Sequence, residues 1–231
     1  MKNRTLLHYA VLPPIILNVW AIILYLPYYM LVYTESDLVR NISAGDVTFV
    51  SYIGVLLVEW AFVISILRRL KRDAVPLRQM LAPEGSLLSF RPLPALATIL
   101  GVNVLFALYF LGLTQLYGDT LSSAYAGIAL WQRIAIIVLV PVSAAFCEEL
   151  IWRAYIPDLM AARQAGFWRI IVLSSLSFAL IHGIFFVDKL LVTFVFGGLL
   201  AFYVLKERNL VPAMAGHWLV NLWSFGLYLF W

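Results

Sequence analysis

The stretch "AGIALWQRIAIIVLVPVSAAFCEELIWRAY", residues 126–155, is an apolar run that ends in two adjacent acids, Glu148 and Glu149, with Arg153 four residues further on. Its apolar part reaches the roughly 20 residues that a helix needs to cross a hydrocarbon core. A charge near the bilayer centre costs about 2.5–3.5 kcal/mol or more, so three charges at the end of such a run call for something that offsets the cost. The whole chain has the same character. Of its 231 residues, 64% are hydrophobic and 12% charged, against about 45–50% and about 25% in a soluble domain. The composition is that of a polytopic membrane protein.

Working outward from residue 126, seven apolar segments are expected: 11–33, 49–67, 93–116, 126–151, 170–187, 190–205 and 210–231. None shows the alternation of barrel strands, and only helices or closed barrels span lipid. The expected fold is therefore all-α, a transmembrane bundle of about seven spans. An eighth helix is open over residues 154–166. The sixth segment is short. Asp188 and Lys189 are expected in the tight turn before it. The first segment follows Lys2 and Arg4 and runs on past residue 30, which reads as a retained span rather than a cleaved signal. Residues 1–231 are expected to form one transmembrane domain, with no repeat and no separate soluble unit.

The basic residues set the orientation. If the N-terminus is cytoplasmic and the spans alternate, only Arg40, Arg133 and Lys189 of the 16 Lys and Arg fall at outer ends. That is a strong positive-inside bias. The formal charge of +4 is spent on topology and does not point to nucleic acid. The basic loop 68–93 is expected to anchor on headgroups through an interfacial helix. Trp20, Trp131, Trp152, Trp168 and Trp231 are expected near the two interfaces. A single cysteine, Cys147, excludes an intrachain disulfide.

On a helix, residues four apart share a face and neighbours diverge by about 100°. Glu149 and Arg153 are therefore expected to pair, leaving Glu148 without a local cation and free for proton transfer. A helix end wetted by cytoplasm would account for Arg153, but acids have no topological use there. Two further polar sites lie in apolar spans. "SFALIHG" sets Phe178 and His182 four apart, and "GHWLVN" does the same for His217 and Asn221. Each site alone could be a helix-packing hydrogen bond. Glu148, His182, His217 and Asn221, on three helices at compatible depths, make a shared site the better reading.

The three stretches Glu148-Glu149-x-x-x-Arg153, Phe178-x-x-x-His182 and His217-x-x-x-Asn221 resemble the motifs of the CPBP intramembrane proteases. That family contains the Ras-converting CAAX endopeptidases and the bacteriocin-processing or self-immunity proteins, and is also called Abi. The resemblance covers roughly residues 126–225; residues 1–125 carry no assignable motif. The family's best-known members look eight-helical, one more than the spans counted here. The resemblance implies peptide-bond hydrolysis within the membrane. Glu148 would activate water with help from His182, while His217 and Asn221 would hold the oxyanion. Glu149, Arg153 and Phe178 would support the site structurally.

Two rival chemistries concern the same residues. Glu148, His182 and His217 could hold zinc, since the family has been described both as metalloproteases and as glutamic proteases. The chain lacks H-E-x-x-H, and the metal-free reading, with no cofactor, is preferred. Cys147 as nucleophile is disfavoured, because a buried cysteine is usually an apolar filler. Glu59, mid-span in "LLVEWAF", is expected to hydrogen-bond across helices or line a cavity without being catalytic. The expected protein is thus an endopeptidase of a bacterial inner membrane. It would act in the lipid bilayer on membrane-anchored protein or peptide substrates, with no nucleic-acid partner and an oligomeric state the sequence leaves open. Its competitors are a non-enzymatic immunity or regulatory protein on the same scaffold and a proton-coupled transporter.

Overall fold

The computed structural model of the chain describes residues 2–36, 42–83, 85–117, 127–184 and 186–230. Arg40 and Trp231 lie outside them. All regular structure among the described residues is helical. In chain order the elements are α1 Lys2–Ala10, α2 Leu12–Tyr33, α3 Ala44–Arg72, α4 Leu77–Leu81, α5 Pro92–Tyr117 and α6 Leu130–Glu149. A π-helical segment, Leu150–Tyr155, runs straight on into α7, Ile156–Ala161. The chain ends with α8 Phe167–Ile181, α9 Val187–Glu207 and α10 Val211–Phe230.

Five helical stretches among the described residues are long and apolar enough to cross a membrane: Thr5–Tyr33, Ala44–Arg72, Pro92–Leu116, Leu130–Ala161 and Val187–Glu207. The α10 helix has 20 residues. The α8 helix has only 15, about 22 Å at 1.5 Å per residue, and so falls short of the span expected for segment 170–187. Its early end has a local cause. His182 takes the C-terminal cap, with its N–H on the Ala179 carbonyl, and Gly183 follows at φ +107°. A residue in that region stops a helix, and glycine enters it without a Cβ penalty. The chain then turns, and Val187 opens α9. Asp188 and Lys189 consequently stand in the first turn of α9 rather than in the connection. The sixth segment is a full 21-residue helix, not a short one. Residues 154–166 do not form a separate helix along the surface either. Residues 154–161 continue α6 through the π segment into α7, whose Ile156, Pro157 and Met160 are buried, and residues 162–166 form the turn to α8.

Helix starts follow local chemistry. Pro13 and Pro14 occupy the first turn of α2, where their missing N–H costs nothing. Ser43 and Asp46 form a reciprocal capping box at α3. Gln132 Nε2 donates to Asp46 Oδ1 at 3.1 Å, tying the start of α6 to that of α3. Lower down, Trp60 Nε1 donates to Ser143 Oγ at 2.6 Å across the same helix pair. Basic residues Arg69, Lys71 and Arg72 close α3, complementing its dipole. Among its described residues, the loop after α3 contains only the five-residue α4. It is stitched under the α9–α10 connection by Asn209 Nδ2 to the carbonyls of Leu87 and Ser89.

The interior is largely apolar but encloses the ionisable side chains, and much of the outer surface is aliphatic. Leu57, Leu93, Leu100, Leu108, Val138 and Leu191 are among many exposed aliphatic side chains, whereas Glu59, Glu148, Glu149, Arg153, Ser174, Ser175, Thr193 and His217 are buried. This suits a chain surrounded by lipid, where ionisable groups face the bundle interior and meet one another. Of the tryptophans expected at the interfaces, Trp131 and Trp168 are exposed. Trp20 packs on Gly54 in the α2–α3 seam, where no Cβ would fit beneath its ring. Trp152 is not interfacial. It is fully buried, because its indole N–H has a partner inside the bundle, Ser177 Oγ at 2.8 Å.

Candidate active site

The site begins at the junction of α6 and the π segment. All six residues from Leu150 to Tyr155 are buried, more than one face of a regular helix could hide. A π turn is a common device at functional sites because it re-aims the side chains around it. Here the helix turns Glu148 and Glu149 inward together, at 5% and 0% exposure. Their directions still diverge, as neighbours on a helix must.

Glu149 points along the helix to Arg153, whose Nε lies 3.3 Å from its Oε2. The Arg153 guanidinium is 2% exposed and lies with its central carbon 3.8 Å from the centre of the Phe178 ring. Stacking on an aromatic face suits a planar, weakly hydrated cation in a dry place. The Phe178 ring also meets His182 edge-on at 4.7 Å and His217 at 6.1 Å. Gly197 of α9 admits this packing: a Cβ there would stand 3.0 Å from Phe178 and 3.2 Å from Arg153.

Glu148 points instead to a cavity of about 1170 Å³. The wall of the cavity also carries Glu59, His182, His217 and Asn221. His217 joins the two acids. Its Nδ1 is 2.8 Å from Glu149 Oε1 and its Nε2 is 3.7 Å from Glu148 Oε2. One imidazole therefore bridges both carboxyls, and Glu149 fixes the ring orientation from behind. Asn221, one turn further along α10, also faces the cavity. His182 stands at the α8 cap with Nδ1 3.1 Å from the Phe178 carbonyl. That contact assigns the proton to Nδ1 and leaves the Nε2 lone pair as the ring's acceptor.

The sequence pattern thus leads to residues that the fold does bring together. Glu148, His182, His217 and Asn221 share one cavity, with Glu149, Arg153 and Phe178 packed behind it. Two participants had no motif to mark them. Glu59 lies against Glu148, the two carboxyls within hydrogen-bonding reach. Its only signal in sequence was a charge mid-span. Asn18 of α2 donates to the Leu180 carbonyl at 2.7 Å and accepts from the Ile184 amide at 3.2 Å, clasping the turn that holds His182. Cys147 is fully buried, with its sulfur 3.9 Å from Ser143 Oγ, and does not line the cavity.

The residues do not fit a metal. Among the described residues no three His, Cys, Asp or Glu converge on a point that could hold an ion.

Residues 129–223 match the family described as type II CAAX prenyl endopeptidase Rce1-like, and that stretch of the chain is a domain of this family. The match takes in every residue of the site except Glu59 and Asn18. No curated protein and no solved structure matches the chain.

Proposed function

We propose that the chain is an intramembrane endopeptidase in which Glu148 is the general base. Glu148 takes a proton from a water that also donates to His182 Nε2. The resulting hydroxide attacks the scissile carbonyl carbon. Negative charge grows on the carbonyl oxygen, where the Asn221 amide and the His217 Nε2–H donate. The C–N bond then breaks, and the amine leaves with the proton held by Glu148. Preorganised donors aimed at developing charge are usually the largest contribution to such catalysis. Glu149 accepts from His217 Nδ1–H and stabilises the ring when both nitrogens carry protons. Arg153 keeps Glu149 charged and in place.

The observation that carries this reading is the shared cavity, which Glu148, His182, His217 and Asn221 line from three helices, with Glu148 and His217 in contact. Its volume exceeds the roughly 300–1,000 Å³ of small-molecule pockets and suits a length of peptide. The apolar helices around it support a multi-pass membrane setting for the reaction, and the distribution of Lys and Arg supports a cytoplasmic N-terminus. The family name points to membrane-anchored substrates with a prenylated C-terminal cysteine motif.

The test compares membranes carrying the wild-type chain with membranes carrying Glu148→Gln, by proteomics and with an internally quenched peptide ending in a prenylated Cys-aliphatic-aliphatic-X sequence. Loss of a general base costs about 10²–10⁴ in rate, so a precursor accumulates and the probe stays intact. A Glu148→Gln protein that cuts at the wild-type rate refutes the assignment.

A further inference from the structure

Glu59 is a buried acid for which the reaction above has no task. It sits on α3, far in sequence from the motif-bearing domain, at 1% exposure. Both of its oxygens are enclosed, and among the described residues no N–H or O–H donates to either one. No Lys, Arg or His forms an ion pair with it among those residues. Its neighbour is Glu148, with the two carboxyls in hydrogen-bonding reach across the α3–α6 seam. Both lie on the wall of the cavity.

Two bare carboxylates cannot sit together in an apolar interior, because their repulsion adds to the cost of removing each from water. One proton between them removes the conflict, as in the paired carboxyls of aspartic proteases. Which acid keeps it follows from their surroundings. Glu148 faces His217 Nε2 at 3.7 Å, a partner that favours its charged form. Glu59 has no such partner.

We propose that Glu59 is a positioning residue for the hydrolytic base: it keeps its proton and donates it in a hydrogen bond to the Glu148 carboxylate, so that the two form a carboxyl dyad. This rests on the reading of Glu148 as base. Glu148 is then held from two sides, by His217 on α10 and by Glu59 on α3. Its remaining lone pairs are directed at the water. The Glu59 proton stays on Glu59 throughout. The proton that moves comes from water, rests on Glu148 and leaves with the amine. The inference also gives the N-terminal half of the chain a part in the site, through a helix outside the matched domain.

The experiment has a spectroscopic arm and a kinetic arm, both on the full chain in lipid nanodiscs. Infrared spectra in H₂O and D₂O detect the C=O stretch of a protonated carboxyl. The wild type shows such a band, E59Q removes it, and E148Q shifts it by removing the acceptor. A spectrum unchanged in E59Q, or a band unmoved in E148Q, overturns the dyad even on a preparation that cuts no probe. The kinetic arm uses the prenylated quenched peptide. E59L fills the site and removes the donor, and lowers kcat by about 10²-fold, the scale of a misaligned reacting group, with KM unchanged and thermal stability not reduced. E59Q, which keeps an N–H donor, recovers most of that loss. If E59L retains wild-type kcat while E148Q is inactive, the dyad fails and the base assignment stands. If E148Q is active, the base assignment fails, and the spectra still decide whether the carboxyls share a proton.

Discussion

Arg153→Ala tests whether the ion pair behind the cavity holds the structure or serves the substrate. Arg153 is 2% exposed, with Nε 3.3 Å from Glu149 Oε2 and its guanidinium on Phe178. Removing it strands Glu149 in a dry interior with only His217 Nδ1, at 2.8 Å, to answer its charge. Breaking a buried pair from one side costs about 3–5 kcal/mol, mostly the penalty of the abandoned charge. At about 2–4 °C per kcal/mol for a chain of this size, the melting temperature in detergent falls by about 6–20 °C. Glu149→Gln combined with Arg153→Gln removes both charges, and the amide oxygen left at position 149 still accepts from His217, so the double variant melts above Arg153→Ala. Size-exclusion chromatography after a temperature series measures both. An Arg153→Ala protein that melts with the wild type but is inactive would refute the structural role and place the guanidinium at the substrate.

Three further outcomes follow from the same contacts. The purified active chain carries no stoichiometric transition metal, and its activity survives chelation; one zinc per chain, lost with activity on chelator dialysis and regained with added zinc, overturns this. Asn18→Ala abandons the Leu180 carbonyl and the Ile184 amide at about 1–3 kcal/mol per stranded group. It therefore speeds hydrogen exchange at Ile184 and lowers kcat/KM, and unchanged exchange there would remove Asn18 from the support of His182. Gly197→Ala presses on Phe178 and Arg153 and lowers the melting temperature by an overpacking cost of about 1–3 kcal/mol. Gly198→Ala, whose added carbon has nothing nearer than 3.9 Å, does not, and equal effects at the two glycines would refute the close-packing argument.

What the sequence made legible was governed by range. The pairing of Glu149 with Arg153 is a property of one helix, and helical spacing suffices to see it. The seven apolar segments became helices because lipid leaves a backbone few alternatives. The end of α8 was missed for a reason of the opposite kind. Hydropathy runs smoothly through "LIHGIFFV", whereas the helix stops on backbone geometry, the cap at His182 and the positive φ of Gly183. Hydropathy does not register either. The same blindness hid the π segment, whose apolar residues look like any other helical turn.

Glu59 was illegible in a deeper sense. Its partner is on another helix, outside any i,i+4 relation, and nothing in "LLVEWAF" says which way the side chain faces. An acid enclosed on all sides needs a cation, a donor or a proton of its own. The first two are absent among the described residues, so Glu59 keeps a proton, and Glu148 stands beside it to accept. Arg153 answers Glu149, His217 answers Glu149 and Glu148, and Glu148 answers Glu59. Each group is tolerable in the interior because of the next, and the series ends at the cavity, where Glu148 is the member with an oxygen left to offer to water.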